Sequence, residues 1–351
     1  MKEARYYRKL DNNLVQCTIC PRKCVIKPGE AGFCRTRINK NGVLYSLVYG
    51  VVSSIAIDPV EKKPLFHFYP GSPTLSISTI GCTFKCPWCQ NWHISQVDAT
   101  KADLSFYDNY APEDIIEYAK RTESPSISIT YNEPIVWLEY SIDLAKLAKA
   151  NNIKTIFVTN GYASDEVLDE IASNINAANV DIKCFSEETY RKYIKGDLKP
   201  VLEFTEYLKK KGVHVETTYL IIPGLNDSPD EIRQYCKWHY EHLGPETPLH
   251  FSKFYPQYKY TSALPTPVET LENAWKIAKE EGLYYVYTGN VPGHKYENTY
   301  CPECGKEVIR RYGFYITKWN LDEQNRCKFC GAKIHISGEK WKEAPRYWWL
   351  I

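Results

Sequence analysis

"TLSISTIGCTFKCPWCQNW", Thr74 to Trp92, joins two unlike halves. Thr74 to Ile80 is a charge-free run of small and branched residues, as in a strand buried on both faces. Gly81 breaks the run, and Cys82, Cys86 and Cys89 follow within one short loop. A strand that ends in such a loop is how α/β enzymes deliver chemistry to the carboxyl edge of a parallel sheet. The C-x3-C-x2-C spacing differs from four-cysteine ferredoxin patterns. It can hold three irons of a [4Fe-4S] cluster and leave the fourth iron for an exogenous ligand. Catalytic zinc with an open position is the alternative, but its ligands are commonly rich in histidine, and this loop offers only His93 nearby.

Working outward, β-branched runs alternate with amphipathic stretches. Strands are predicted at Ser126 to Thr130, Ile153 to Thr159, Ala178 to Ile182, His214 to Ile222, Leu249 to Phe254 and Leu283 to Thr288. Helices are predicted in "PEDIIEYAKR", with proline in the first turn, and in "IVWLEYSIDLAKLAKAN". Two more are "SDEVLDEIAS", with Ser164 as N-cap, and "TPVETLENAWKIAKEEG", which stops at Gly282. Strand-helix units in series, closed by a last strand, predict an incomplete (β/α)6 barrel; an open doubly wound sheet is the alternative. Polar motifs follow the strand ends: "YNEP" at Tyr131 to Pro134, "TNGY" at Thr159 to Tyr162, "DIK" at Asp181 to Lys183, "PGLND", "YPQY" and "GNVPGH" at Gly289 to His294. Any one of them could be a turn; together with the cysteine loop they describe a functional rim.

The chain has 351 residues, formal net charge +2 and a pI near 7.8, which gives no general case for a nucleic-acid or membrane partner. No apolar run approaches the ~20 residues of a membrane span, and a cytoplasmic protein is expected. Eleven of the 13 cysteines fall into three clusters, pointing to metal rather than disulfides; Cys184 and Cys236 read as buried structural thiols. Residues 1–65 form a basic N-terminal region with Cys17, Cys20, Cys24 and Cys34, a set that fits zinc or an auxiliary iron-sulfur cluster. Residues 66–295 are the barrel. Residues 296–351 carry Cys301, Cys304, Cys327 and Cys330 in zinc-ribbon spacing, with "VIRRYGFYITKW" between the knuckles read as a solvated hairpin or an RNA contact. The aromatic tail "WKEAPRYWWLI" is expected to pack on its own domain.

"CTFKCPWCQNW" resembles the signature of the radical S-adenosylmethionine (SAM) enzymes, in the branch near the glycyl-radical-enzyme activases. Over nearly its full length the chain resembles the radical SAM component of the AmmeMemoRadiSam system, through "CPRKC", "FYPGSPTLSISTIGCTFKCPWCQNW", "TYNEP", "TNGY", "HFSKFYP" and "YTGNVPGHKYENTYCP". The resemblance implies that Cys82, Cys86 and Cys89 bind the cluster and that SAM chelates the unique iron through its amino and carboxylate groups. It implies that Trp88 approaches the adenine and that Glu133 faces the SAM amino group. Asn160, Asp181 and Lys183 would complete the methionine and ribose surroundings. "YNEP" departs from the family's glycine-glycine-glutamate-proline motif at Tyr131 and Asn132. His250, Asn290 and His294 are weaker candidates for SAM or substrate, and His250 can equally be a satisfied core histidine. The chemistry implied is reductive cleavage of SAM to a 5′-deoxyadenosyl radical that abstracts hydrogen. An electron donor such as ferredoxin or flavodoxin is implied, with Memo-like and AMMECR-domain proteins as partners. A glycyl-radical activase and a non-catalytic metal-ribbon scaffold binding RNA or protein are the competing readings.

Overall fold

The computed structural model describes residues 1–341; the tail from residue 342 on lies outside the described residues. Its centre is an eight-stranded sheet, β1 (Ser54–Pro59), β2 (Pro73–Ser78), β3 (Ser126–Ile129), β4 (Lys154–Thr159), β5 (Ala177–Asp181), β6 (His214–Ile221), β7 (Leu249–Lys253) and β8 (Val286–Gly289). The spatial order equals the chain order. β2 to β8 are parallel, and β1 pairs antiparallel with β2, Ser54 opposite Ser78. A doubly wound sheet reverses its order at a switch point. No reversal occurs here, so the winding is single.

All seven parallel strands lie within a few residues of their sequence-based positions, because they are buried along nearly their whole length. The antiparallel β1 was not anticipated; its half-exposed "SIAIDP" carries a proline, which lowers its strand signal. The helices between strands are α1 (Pro112–Arg121), α2 (Leu138–Ala150), α3 (Asp165–Asn174), α4 (Lys199–Lys210), α5 (Pro229–Leu243) and α6 (Val268–Glu280). Pro112 opens α1 where its missing N–H costs nothing, and Gly282, at φ +90°, follows the end of α6. Ser164 precedes α3 as expected, yet its hydroxyl does not cap the helix: it donates to the Thr18 carbonyl and so ties the N-terminal region to the β4-α3 connection.

In the N-terminal region, residues 2–46 form two small antiparallel sheets. The region's apolar residues Val15, Ile19, Ile26, Leu44 and Val48 belong to the same buried cluster as the central strands. The fully buried Arg37 is paired with Glu139 of α2, whose Oε1 accepts from Nη1 at 2.8 Å. At the other end, Thr299–Tyr300, Glu307–Tyr312 and Tyr315–Trp319 form an antiparallel sheet, so "VIRRYGFYITKW" is a hairpin turning at Gly313. The hairpin is not wholly solvated. Arg311 is buried, donates to the Phe66 carbonyl at 3.0 Å and lies over the Phe66 ring. Among the described residues, no helix is long and apolar enough to cross a membrane.

Candidate active site

The site is assembled where β2 to β5 end. Gly81, at φ +88°, lets the chain leave β2; a Cβ there would stand 2.4 Å from Thr36 Cγ2 and 3.2 Å from the Cys34 carbonyl oxygen. The N-terminal region therefore packs directly on the cysteine loop. Asn132, from the end of β3, fixes the same turn by accepting from Thr79 N–H at 3.2 Å and donating to the Gly81 carbonyl at 2.9 Å. Asn91 closes the loop by donating to the Tyr131 carbonyl at 2.7 Å.

Asn160 stands over the first cysteine, with Nδ2 3.0 Å from Thr83 Oγ1 and 3.6 Å from Cys82 Sγ. Cys89 Sγ lies 3.1 Å from Ser95 Oγ. Burial pushes the Cys86 thiol up to about 12 and the Cys82 thiol higher still. Such thiols become ligands when a metal displaces their protons. Trp88 is buried, its ring meeting that of Tyr260 edge-on at 5.7 Å.

Glu133 is buried and held on three sides: Oε1 accepts from Thr159 Oγ1 at 2.6 Å and Ile135 N–H at 3.0 Å, and Oε2 from Asn160 N–H at 2.7 Å. Burial raises its carboxyl to about 7 against these bonds and the attraction of Lys183. Lys183 Nζ pairs with Asp181 at 2.8 Å. Burial pulls its ammonium down, but Asp181 and the Cys86 and Cys89 sulfurs in their thiolate form outweigh it and hold Lys183 above its ordinary value. The same lysine thus answers to Asp181 and to the cysteine loop.

Tyr131 and Asn132 stand where the resembling motif has glycines. Tyr131 adopts φ +66°, the left-handed conformation a glycine takes freely, and its hydroxyl donates to Asp58 of β1. Lys63 outweighs burial in holding Asp58 well below the usual carboxylate range. Asn91 and Asp58 were not singled out from the sequence, and Asn132 was noted only as a departure from the family motif. Asn91 and Asn132 sit inside quoted motifs, where amide side chains read as turn residues; Asp58 had no signal, because β1 itself was missed.

The remaining candidates lie elsewhere on the sheet. His250 Nε2 donates to Glu216 at 2.7 Å, and its ring packs against Phe66 and Tyr287, which makes it a satisfied core histidine. Glu216 also accepts from His214 and from the backbone of Phe66 and His67. Asn290 has φ +62° and donates to the Lys253 carbonyl at 3.1 Å. His294 bridges Thr288 at 3.1 Å and Glu272 at 3.2 Å beyond the end of β8. Cys184 and Cys236 are fully buried.

Cys301, Cys304, Cys327 and Cys330 form a metal-binding quartet, their sulfurs all within 4.8 Å of one another. The Cys301–Cys330 and Cys304–Cys327 separations are 3.6 and 3.8 Å. Sulfurs about 2.3 Å from one tetrahedral zinc would stand roughly 3.8 Å apart, so the quartet fits a single ion. The Lys306 N–H lowers the Cys304 thiol to about 7.

The radical SAM superfamily profile matches residues 76–236, the span from β2 through most of α5. An uncharacterized protein of Methanocaldococcus jannaschii is 50% identical over 337 residues, 96% of this chain and 99% of that protein. The chain belongs to the radical SAM superfamily. Pyruvate formate-lyase 1-activating enzyme of Escherichia coli is 24% identical over 43% of this chain and 61% of its own, so the chain is also related to the glycyl-radical-enzyme activating enzymes. A radical SAM methyltransferase from Sphaerobacter thermophilus aligns with a TM-score of 0.49 and 15% identity, over 64% of this chain and 68% of that one. As a radical SAM protein this chain is an enzyme that uses a [4Fe-4S] cluster and SAM, and such enzymes need an electron donor.

Proposed function

We propose that the chain cleaves SAM reductively at the Cys82-Cys86-Cys89 loop and takes a hydrogen atom from a substrate. The observation that carries this reading is the convergence of Glu133, Asn160, Asp181 and Lys183 from three successive strand ends around a loop with three thiols. The residues present fit the cluster and its co-substrate. Three cysteines leave one iron open, and a carboxylate beside an ammonium complements the amino and carboxylate groups of a bound amino acid. When bound, the cluster and SAM supply a single electron to a sulfonium and a carbon radical that removes hydrogen.

The chain's own residues bind, orient and shield. Glu133 in its ionised form attracts the amino group, and Lys183 the carboxylate. Asn160 holds the Cys82 sulfur and the Thr83 hydroxyl in register. Trp88, packed on Tyr260, offers a ring face for the adenine and excludes water. The sequential parallel sheet supports a partial (β/α)6 barrel over residues 66–295, between the N-terminal region and the ribbon. The motifs that extend outside the family profile support membership of the AmmeMemoRadiSam branch, with Memo-like and AMMECR-domain proteins as partners and ferredoxin or flavodoxin as donor. Relatedness to activating enzymes supports a second reading, hydrogen abstraction from a backbone glycine of a partner protein.

The test is 5′-deoxyadenosine formation by anaerobically reconstituted protein given SAM and a strong reductant. Product from the native chain and none from Cys86→Ala is the expected result. A reconstituted protein without any iron at the loop would overturn the proposal.

A further inference from the structure

We propose that Cys17, Cys20, Cys24 and Cys34 hold a second iron-sulfur cluster, set against the wall of the first. The four thiols come from separate pieces of the N-terminal region. Cys17 ends the strand Val15–Cys17, Cys20 and Cys24 flank a turn closed by Lys23 N–H to the Cys20 carbonyl, and Cys34 lies in the turn closed by Arg35 N–H to the Gly32 carbonyl. All four nevertheless line one cavity, together with Arg22, Arg37 and Thr83. Four free thiols converging on one buried space make a ligand set.

The comparison with the C-terminal quartet distinguishes the metal. Among the described residues, the quartet is the only group of metal-ligating side chains whose ligand atoms are drawn within 4.8 Å of one another. That is the spacing of a single tetrahedral ion. Among the described residues, Cys17, Cys20, Cys24 and Cys34 form no such close group, although all four line one cavity. A cluster presents a separate iron to each cysteine, so its ligands stand farther apart than those of zinc.

Positive charge beside the cavity fits metal-bound thiolates at this place, and the spacing of the thiols selects the metal. Arg37 is fully buried, and its Nε has no hydrogen-bond partner. Lys85 Nζ, in the loop between Cys82 and Cys86, is likewise buried without a hydrogen-bond partner, and Phe33 carries both Lys85 and Arg22 over its ring. Arg37 already has Glu139 as its counter-charge, so the cations that metal-bound thiolates here would balance are Arg22 and Lys85. Arg22 donates through Nε and Nη2 to the Thr83 carbonyl, both at 3.3 Å. Thr83 follows Cys82 directly, so one residue separates the two thiol sets. Unlike zinc, a cluster here can exchange an electron.

This assignment stands apart from the SAM reading, and the test separates them. The variant Cys82→Ala/Cys86→Ala/Cys89→Ala removes the loop ligands. Iron, acid-labile sulfide and zinc are measured per chain after anaerobic isolation, with electron paramagnetic resonance of the dithionite-reduced protein. The variant is expected to keep iron and sulfide and show a reduced-cluster signal, with zinc near one per chain. Adding Cys20→Ala and Cys24→Ala should abolish both iron and signal. An iron-free triple variant with about two zinc per chain, or with no metal beyond the ribbon, overturns the proposal. If the triple variant does not fold, Cys20→Ser/Cys24→Ser in the native loop background decides: iron should fall to about half, and unchanged iron overturns the proposal. A failure of the SAM reading shows separately, as equal iron in the native chain and the loop variant.

Discussion

The role proposed for Glu133 rests on its charge, and that charge depends on pH. Its carboxyl is raised to about 7 chiefly by burial, so the acid form predominates below that pH and the carboxylate above it. A raised carboxyl stabilises the folded protein in acid, and that contribution is lost as pH climbs through about 7. Binding of an ammonium group runs the opposite way, because only the carboxylate attracts it. Lys183 stays protonated across this window. SAM affinity should therefore rise several-fold between about pH 6 and about pH 8, and Glu133→Gln should flatten the profile. Isothermal titration with both proteins checks this; an unchanged slope in Glu133→Gln would assign the pH dependence elsewhere.

At the scale of elements, the cysteine loop is shaped as much by its neighbours as by β2. Gly81 takes a left-handed φ against Thr36 and the Cys34 carbonyl, and Asn132 reaches across from β3 to bind both ends of the turn. Gly81→Ala would bring backbone strain of about 1–3 kcal/mol and push the N-terminal region off the loop. A lower melting temperature together with reduced iron after reconstitution is the expected outcome. A stable variant with a full iron complement would show that the contact does not shape the cluster site. This cross-element packing marks the limit of what the sequence told. Buried strands such as Ser126–Ile129 announced themselves by composition, and "YNEP" and "DIK" by their place after them. Three-dimensional pairings did not: the use of Ser164 on Thr18, the clamp by Asn132 and the capture of His250 by Glu216 each join residues far apart in the chain. Periodicity carries no information about such partners.

Across the whole molecule, the C-terminal cysteine module is built into the central sheet rather than hung from it. Cys301, Cys327, Val308, Ile309 and Leu321 share one buried cluster with Phe66, Tyr285 and Tyr287, and the latter two flank or lie in β8. His67 reinforces the join: its Nδ1–H donates to the His335 carbonyl at 2.8 Å, and Tyr287 donates to Nε2 at 2.6 Å. Burial lowers the His67 imidazole to about 3, so it stays neutral and the two bonds persist through ordinary pH. Metal bound by the folded ribbon and not by the unfolded chain stabilises everything that unfolds with it. Chelation of the quartet, or Cys304→Ser, should therefore lower the melting temperature of the entire chain in a single transition and increase the exposure of Tyr285 and Tyr287. Scanning calorimetry with near-ultraviolet circular dichroism reads both effects. Two separate transitions, with that of the central sheet unmoved, would instead make the cysteine module an independent unit resting on β8.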